Sequence, residues 1–222
     1  MTSLRLSLIN KWSHVKMIAI IDYGIGNVGS ITNMLKKVKA ESYLASTIED
    51  VQRAEKIILP GVGHFSSGME SLINSGLIES IEDKVLNERV PTLGICLGMQ
   101  LMADYSEEGQ VKGLGWVPGK VKNFSSRPNI GNNRVPHMGW NFTKEQKQSP
   151  LLNEFIEKSK FYFVHSYFYE CENPDDVLLK TDYGGDFTSA FQKENIMGVQ
   201  FHPEKSHKYG MKLLGNFAEM NL

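Results

Sequence analysis

Short, largely apolar runs alternate with helix-like segments through the first half of the chain, and this alternation is the strongest constraint on its fold. The runs are MIAIID (17–22), SYLAS (42–46), KIILPG (56–61) and PTLGI (91–95). Helical patterns follow at about Gly29 to Val38, at 67–90 with a break near Gly76, and at 97–106. Apolar strands that alternate with helices are typical of a parallel sheet buried on both faces and predict the α/β class.

The second half of the chain has a different pattern, in which short β-type runs are separated by turn residues. The runs are GWVPGKVKNF, NRVPHMGWNF, KFYFVHSYFYE, DVLLKTDY, FTSAFQ and IMGVQFH. Such spacing favours antiparallel strands, and a final helix is predicted from about Lys208 to Met220. We therefore expect one α/β domain over 17–222, with a central, mostly parallel sheet flanked by helices and an added antiparallel portion.

Composition and charge narrow the functional class. The chain has 222 residues, of which 41% are hydrophobic and 22% charged, the profile of a globular domain. Its net charge of -1 gives no electrostatic footprint for nucleic acid or for an anionic membrane surface, and its apolar runs are too short to span a bilayer. The two cysteines, Cys96 and Cys171, form no zinc-type cluster and fit a reducing cytoplasm. We expect neither a metal nor a cofactor.

Residues 1–16, MTSLRLSLINKWSHVK, precede the first strand-like run. They lack a continuous apolar core and a small-residue cleavage site, so the segment does not have the pattern of a signal peptide. An N-terminal extension, disordered in the protein, is one interpretation of this segment. A start site assigned too far upstream is the other.

Cys96 lies in the stretch GICLG, with a glycine two residues away on either side. This is the pattern of a nucleophile elbow, a sharp strand-to-helix turn at which glycines remove side chains that would collide. The start of the following helix favours a thiolate, and the backbone N–H of Leu97 is placed to hold an oxyanion. A buried structural cysteine at a tight turn is the alternative interpretation.

Among the six histidines, His202 has the setting most typical of an active site. It follows the apolar run IMGVQF, at a strand end where α/β proteins commonly present functional side chains. Glu204 lies beyond Pro203, and because proline favours extended backbone, both side chains are expected on the same side. His202 is thus a candidate base for Cys96, with Glu204 to orient it. The alternative is a structural histidine.

Three segments, PGVG (60–63), GICLGMQ (94–100) and FHPE (201–204), together resemble the class I, or triad, glutamine amidotransferases in order and spacing. The likeness covers nearly all of the chain from Met17 onward. Within that class, IDYGIGNVGS, LPGVGHF, VPHMGWN, FYFVHSY and VQFHPEKS are similar to the glutaminase subunit of imidazole glycerol phosphate synthase. The resemblance implies the flavodoxin-like fold of that class.

The resemblance also implies a reaction. Cys96 would attack the side-chain amide of L-glutamine, His202 would transfer protons, and Glu204 would orient His202. Ammonia would leave, and water would release glutamate from the thioester on Cys96. The backbone groups implied for the oxyanion are those of Gly61, Val62, Gly63 and Leu97.

Glycines on both sides of Val62 would allow this loop to flip and complete the oxyanion hole, although an ordinary strand-end turn is the alternative. Glutamine itself would be held by a set of residues that chemistry alone does not single out. Those that match the family positions are Gly61, Gln100, Glu108, His165, Ser166 and Tyr167.

The sequence contains no recognisable site that would use the ammonia. It has no P-loop, and the glycines of DYGIGNVGS lack the acidic residue that completes a dinucleotide-binding fingerprint. The resemblance implies a (β/α)8-barrel cyclase as partner in a heterodimer, making imidazole glycerol phosphate and an aminoimidazole carboxamide ribotide in histidine biosynthesis. The residues implied at this interface are Asn27, Trp140, Tyr162 and Lys205. For Trp140 the alternative is core packing, and for Lys205 a solvated surface position.

Three other functional interpretations stay open. His207-Lys208-Tyr209 and the glycines of TDYGGDFTSAFQ resemble paralogues that supply ammonia to a surface-polysaccharide sugar amidotransferase. A γ-glutamyl hydrolase or cysteine peptidase would use the same Cys–His pair without a partner. A catalytically silent binding module would not be labelled selectively at Cys96 by a glutamine-like electrophile.

Overall fold

The computed structural model describes residues 17–131, 133–155 and 159–221, so the predicted extension 1–16 lies outside the described residues. Its strands are β1 (Ile18–Ile21), β2 (Ser42–Ala45), β3 (Lys56–Leu59), β4 (Thr92–Ile95), β5 (Tyr105–Ser106), β6 (Val111–Lys112), β7 (Gly119–Asn123), β8 (His137–Phe142), β9 (Lys144–Glu145), β10 (Lys160–His165), β11 (Tyr167–Cys171), β12 (Val177–Asp182), β13 (Asp186–Lys193) and β14 (Ile196–Val199). Its α-helices are α1 (Val28–Lys37), α2 (Ile48–Gln52), α3 (Phe65–Asn74), α4 (Ile78–Glu82), α5 (Leu97–Leu101) and α6 (His207–Glu219), and one π-helical turn covers Asp83–Asn87.

Most of the described strands join one sheet, in the order β2-β1-β3-β4-β14-β13-β11-β7-β5-β6, with β12 and β9 attached at β13. The strands from β2 to β14 along this order pair in parallel. From β14 through β13 and β11 to β7 the pairing is antiparallel. Strands β8 and β10 form a separate antiparallel pair. The predicted α/β class, with an added antiparallel portion, is confirmed.

The parallel strands lie in the middle of the molecule because helices cover both faces. Every residue of β1, β3, β4 and β14 is buried. Along β1, Ile18 and Ile20 pack in the cluster that contains residues of α1 and α6, whereas Ala19 and Ile21 pack in the cluster that contains residues of α3 and α5. Alternate residues of a strand point to opposite faces, so continuous apolar runs are what a doubly covered sheet requires.

The helix after Cys96 is shorter than the sequence predicts. It ends at Leu101 rather than continuing to 106, and Tyr105–Ser106 pair as β5. The carbonyl groups of residues 101–103 accept hydrogen bonds from N–H groups within 114–117. Residues 114–117 therefore occupy the carbonyl groups that a longer helix would use for its own hydrogen bonds. Helix propensity does not predict this tertiary contact.

Lys56 ties the middle of the sheet to the end of the last helix. It lies on β3 and is fully buried, yet its ammonium group donates to the carbonyl groups of Phe217 and Met220, both at 2.8 Å, and to that of Ala218. The last carbonyls of a helix lack partners within the helix and carry partial negative charge. A buried cation at this point therefore caps α6.

Replacing Lys56 with methionine is expected to lower the free energy of unfolding by about 2 kcal/mol, because the side-chain volume is kept while buried carbonyl groups lose their donor. Urea denaturation would measure the change. The matched control is Lys120→Met, since Lys120 is an exposed strand lysine, and that variant should change stability by less than about 0.5 kcal/mol. Equal stabilities for the two variants would contradict the capping role.

Candidate active site

Cys96 occupies a strained turn between β4 and α5. Its φ of 55° and ψ of -110° are rare for a residue with a side chain. The backbone N–H of Cys96 donates to the carbonyl of Val199 on β14 at 2.8 Å, so the neighbouring strand fixes the turn. A Cβ atom on Gly98 would lie 1.9 Å from the carbonyl oxygen of Leu59, which explains why the helix can approach β3 only with glycine there.

His202 and Glu204 form a buried hydrogen-bonded pair beside this turn. Nδ1 of His202 lies 2.8 Å from Oε1 of Glu204, and the two side chains are 3% and 1% exposed. Burial alone would lower the pKa of His202, but hydrogen bonds with Cys96 and Glu204 outweigh it and raise that pKa to about 10. The structure thus brings together the three side chains predicted to form the triad, with an imidazole that holds its proton next to sulfur.

A cavity of about 560 Å³ opens beside the sulfur of Cys96. Predicted catalytic, oxyanion and glutamine-binding residues that line it are Val62, Gly63, Cys96, Leu97, Gln100, Glu108, His165, Ser166, Tyr167 and His202. Asn27 and Lys205, predicted at the interface, line the same cavity. Glu204 and Gly61 are not among its lining residues, because Glu204 pairs with Nδ1 of His202 and Gly61 is packed against Leu97, Gly98 and Tyr23.

The loop after β3 blocks the predicted oxyanion donor. The N–H of Leu97 donates to the carbonyl of Gly61 at 3.3 Å, so it does not point freely into the cavity. The preceding carbonyl, that of Pro60, accepts from the hydroxyl of Tyr23 at 2.7 Å. One end of the loop is therefore anchored, and rotation of the Gly61–Val62 peptide would be needed to release Leu97.

Gln100 and Glu108 both reach the cavity, and both are also held by the protein. The side-chain amide nitrogen of Gln100 donates to the carbonyl of Tyr167 at 3.0 Å and to Oε1 of Gln200 at 2.9 Å. Oε2 of Glu108 accepts from the backbone N–H of Phe65, at the start of α3, at 2.8 Å. These contacts orient the two side chains before any ligand arrives.

The His165 ring is buried in a hydrogen-bonded chain rather than presented to the cavity by its nitrogens. Its Nδ1 donates to the carbonyl of Tyr167 at 2.7 Å, and its Nε2 lies 3.1 Å from Nδ1 of His137. Nε2 of His137 in turn lies 3.3 Å from the side-chain amide nitrogen of Asn141. Both rings fit this chain as neutral imidazoles. Any contact of residue 165 with glutamine would come from its other atoms.

Lowering the pH from 7 to 5 is expected to destabilise the fold by about 3 kcal/mol through these two histidines. Burial lowers the pKa of His137 to about 4 and that of His165 to about 3 from an ordinary 6.5. Below pH 6.5 these two histidines bind protons in the unfolded chain but stay neutral in the folded chain. The free energy of unfolding therefore decreases as the pH is lowered. The raised pKa of His202 acts in the opposite direction and chiefly above pH 7.

Urea unfolding at the two pH values would test this expectation. His64→Asn is the control, because His64 is exposed and asparagine can replace it as the N-cap of α3. That variant should keep the full pH dependence. Equal stability of the parent protein at pH 7 and pH 5 would contradict the burial argument.

The residues predicted at an interface lie in two places. Asn27 caps α1, since its side chain accepts from the N–H of Ser30 at 3.4 Å. Trp140 is 42% exposed on β8, which excludes core packing for it, and it stacks on His207 with ring centroids 5.5 Å apart. Tyr162 faces Trp140 across the β8–β10 pair, and the Lys205 ammonium group lies 6.0 Å from the Tyr162 ring.

Gln200 is a residue at this site that the sequence reasoning missed. It is fully buried, and its side-chain nitrogen lies 3.8 Å from the sulfur of Cys96. A polar residue at the end of an apolar strand run was the available signal, although its partners lie far away in sequence. Across the described residues, no group of three or more His, Cys, Asp or Glu side chains could hold a metal ion. No helix in this part of the chain has both the length and the apolar character of a membrane span.

The family described as glutamine amidotransferase class-I matches residues 19–220. Imidazole glycerol phosphate synthase subunit HisH 2 of Methanococcus maripaludis is 51% identical over 91% of this chain and 99% of its own length. The subunit of the same name from Pseudomonas aeruginosa is 48% identical over 92% of this chain and 100% of its own length.

Solved structures agree with the fold. A crystal structure of a glutamine amidotransferase superposes with a TM-score of 0.67 at 16% identity, covering 89% of this chain and 98% of that one. PurLQS from Thermotoga maritima superposes with a TM-score of 0.68 at 19% identity, covering 91% of this chain and 97% of the matched chain. At such identities the likeness concerns the fold alone.

Proposed function

This chain belongs to the class-I glutamine amidotransferase family, and on that premise we propose that it is the glutaminase subunit of an imidazole glycerol phosphate synthase. It hydrolyses L-glutamine to glutamate and ammonia, and the ammonia passes to a separate cyclase subunit. The observation that carries the proposal is the contact of Cys96, His202 and Glu204 beside a cavity of about 560 Å³. The identity of about half with subunits of that name supports the choice of pathway.

In this proposal the sulfur of Cys96 attacks the side-chain amide carbon of glutamine. His202 protonates the amide nitrogen, so that ammonia leaves and a γ-glutamyl thioester forms on Cys96. His202 then takes a proton from water, and the resulting hydroxide releases glutamate. Glu204 orients the imidazole and stabilises its charged form, and the raised pKa of His202 supports this division of roles.

Oxyanion stabilisation requires one rearrangement. The N–H of Leu97 is engaged by the Gly61 carbonyl at 3.3 Å, so the described conformation offers it to no substrate. Turning the Gly61–Val62 peptide would remove that carbonyl and direct the N–H of Val62 towards the cavity. Preorganised N–H donors at a developing oxyanion contribute about 10²–10³-fold in rate, so the blocked conformation hydrolyses glutamine slowly.

The partner is a barrel cyclase that forms a heterodimer with this chain. Alternate residues of β8, namely Met138, Trp140 and Phe142, are between 42% and 62% exposed. Exposed apolar side chains in one row are typical of a surface that another protein covers. Asn27 and Lys205 line the cavity itself, so a partner that touched them would also cover the site.

Glutamate release from glutamine tests the proposal. The purified chain is assayed alone, then with a histidine-pathway cyclase, and then with the cyclase plus its ribonucleotide ligand. We expect slow release alone and strong stimulation by the loaded cyclase. If the chain stays inactive with a cyclase that works with free ammonia, the histidine-pathway assignment fails.

A paralogue that supplies ammonia to a surface-polysaccharide sugar amidotransferase is the second candidate. One observation favours it: His207, which belongs to the segment that resembles these paralogues, stacks on Trp140 at the proposed interface. A histidine stacked on Trp140 changes the surface that this chain presents there, as binding to a different partner would require. Stimulation by the barrel protein of that pathway, but not by the histidine-pathway cyclase, would select this candidate.

A further inference from the structure

Gln200 contacts the sulfur of Cys96 from a position where an apolar side chain would fit the strand. It directly follows β14, it is fully buried, and its backbone N–H donates to the carbonyl of Ser189 at 2.9 Å. Burying an amide costs free energy unless each of its groups is paired. The hydrogen-bond partners of the Gln200 side-chain amide therefore indicate its role in the site.

The hydrogen-bond chain fixes which end of the Gln200 amide meets the sulfur. The Tyr167 carbonyl can only accept, so the group of Gln100 at 3.0 Å from it must be the NH₂ group. The same NH₂ group lies 2.9 Å from Gln200, which must present its carbonyl oxygen there. The NH₂ group of Gln200 is then left facing Sγ of Cys96 at 3.8 Å, a long contact suited to the large radius of sulfur.

We propose that Gln200 is a positioning residue, which donates a hydrogen bond to the sulfur of Cys96 and holds it towards His202 and the cavity. Gln100 acts behind it by fixing the direction of the Gln200 amide. The proposal rests on the assignment of Cys96 as the glutaminase nucleophile.

An N–H donor stabilises a thiolate more than it stabilises a neutral sulfur, because hydrogen bonds to charged acceptors are stronger. Gln200 is not among the residues that line the cavity. Gln100, which does line the cavity, keeps its hydrogen bond to the Tyr167 carbonyl at 3.0 Å when Gln200 is replaced. The loss of Gln200 should therefore act chiefly through the sulfur and lower kcat with little change in KM.

The test uses the full chain in a Cys171→Ser background, because Cys96 is then its only thiol. The rate of alkylation by iodoacetamide is measured against pH for the parent and for Gln200→Met and Gln200→Glu. We expect the pH of half-maximal alkylation to rise by about one pH unit in Gln200→Met, and further in Gln200→Glu, where a carboxylate faces the sulfur. In the complex with the cyclase, kcat of Gln200→Met should fall about tenfold while KM changes less than twofold.

Gln192→Met is the matched control, since Gln192 pairs with Met197 at the opposite end of β14 and should leave both readouts unchanged. Gln100→Met keeps Gln200 but removes the partner that fixes the direction of the Gln200 amide. We therefore expect a smaller upward shift of the alkylation profile in this variant. If Gln200→Met does not fold, the Gln100→Met result tests the proposal. Parent-like profiles in the folded Gln200 and Gln100 variants would overturn the proposal. If the parent releases no glutamate with any partner, the proposed function fails, whereas the alkylation readout still tests Gln200.

Discussion

Replacing Cys96 with alanine is expected to lower glutamine hydrolysis by about 10³-fold or more while the chain stays folded and still binds its partner. Cys96 lines the cavity and its thiol contacts His202, so the substitution removes the atom that we propose attacks glutamine. Alanine keeps the Cβ atom and meets the same backbone strain at φ 55° as cysteine does. Glutamate release in the complex and urea unfolding of the chain would measure the two effects separately.

Two comparisons sharpen this expectation. Cys171→Ala should keep full activity, because Cys171 lies on β11 and does not line the cavity. Glu204→Ala should lose less activity than Cys96→Ala, because the role proposed for Glu204, which contacts Nδ1 of His202, is to orient the imidazole and not to attack the substrate. Near-parental activity of Cys96→Ala, or an equal loss in Glu204→Ala, would refute the assigned roles.

Replacing Gly98 with alanine is expected to cost about 3 kcal/mol or more of stability and to abolish hydrolysis. The added Cβ would lie 1.9 Å from the carbonyl oxygen of Leu59 and 2.8 Å from its carbonyl carbon. Because the obstacle is backbone, no side-chain rotation relieves it, and either β3 or the turn at Cys96 must move. Urea unfolding would report the loss of stability, and glutamate release the loss of activity.

Gly29 provides the matched control for that substitution. It lies in the first turn of α1, is exposed, and has no atom within 4 Å of a Cβ built on it. Gly29→Ala should leave activity unchanged and stabilise the chain by about 0.5 kcal/mol, since alanine favours helix. If the two alanine variants were equally stable, close packing at Gly98 would not be the cause of the expected effect.

The sequence was sufficient for the parts of the fold and site that depend on local pattern. Apolar runs and turn residues located the first four strands of the parallel sheet within one or two residues, because burial on both faces leaves a continuous signature. The run IMGVQFH, which the sequence pattern groups with the antiparallel strands, instead pairs in parallel with β4 over Ile196–Val199. The glycines around Cys96 predicted a sharp turn for a local reason, since only they allow such close backbone approach. The spacing of His202 and Glu204 likewise predicted their contact through the geometry of a few residues.

Features that depend on distant contacts were not predictable in this way. Gln200 owes its orientation to Gln100, which is 100 residues away in the chain. The early end of α5 arises from residues 114–117, which return to it later in the sequence. Nε2 of His165 is engaged by His137, which lies 28 residues earlier in the chain. The Gly61 carbonyl that engages Leu97 is one of several backbone states that glycine permits, and sequence alone does not choose between them.

The position of β14 makes the turn at Cys96 depend on a strand that is synthesised much later than Cys96 itself. It follows the other described strands in chain order, yet it lies in the middle of the sheet and accepts the hydrogen bond from the backbone of Cys96. His202 and Glu204 come three and five residues after its last residue, Val199. A chain that stops before β14 therefore contains Cys96 without the strand that fixes its turn and without the proposed base, His202. We expect such a fragment to hydrolyse no glutamine, although it carries the thiol.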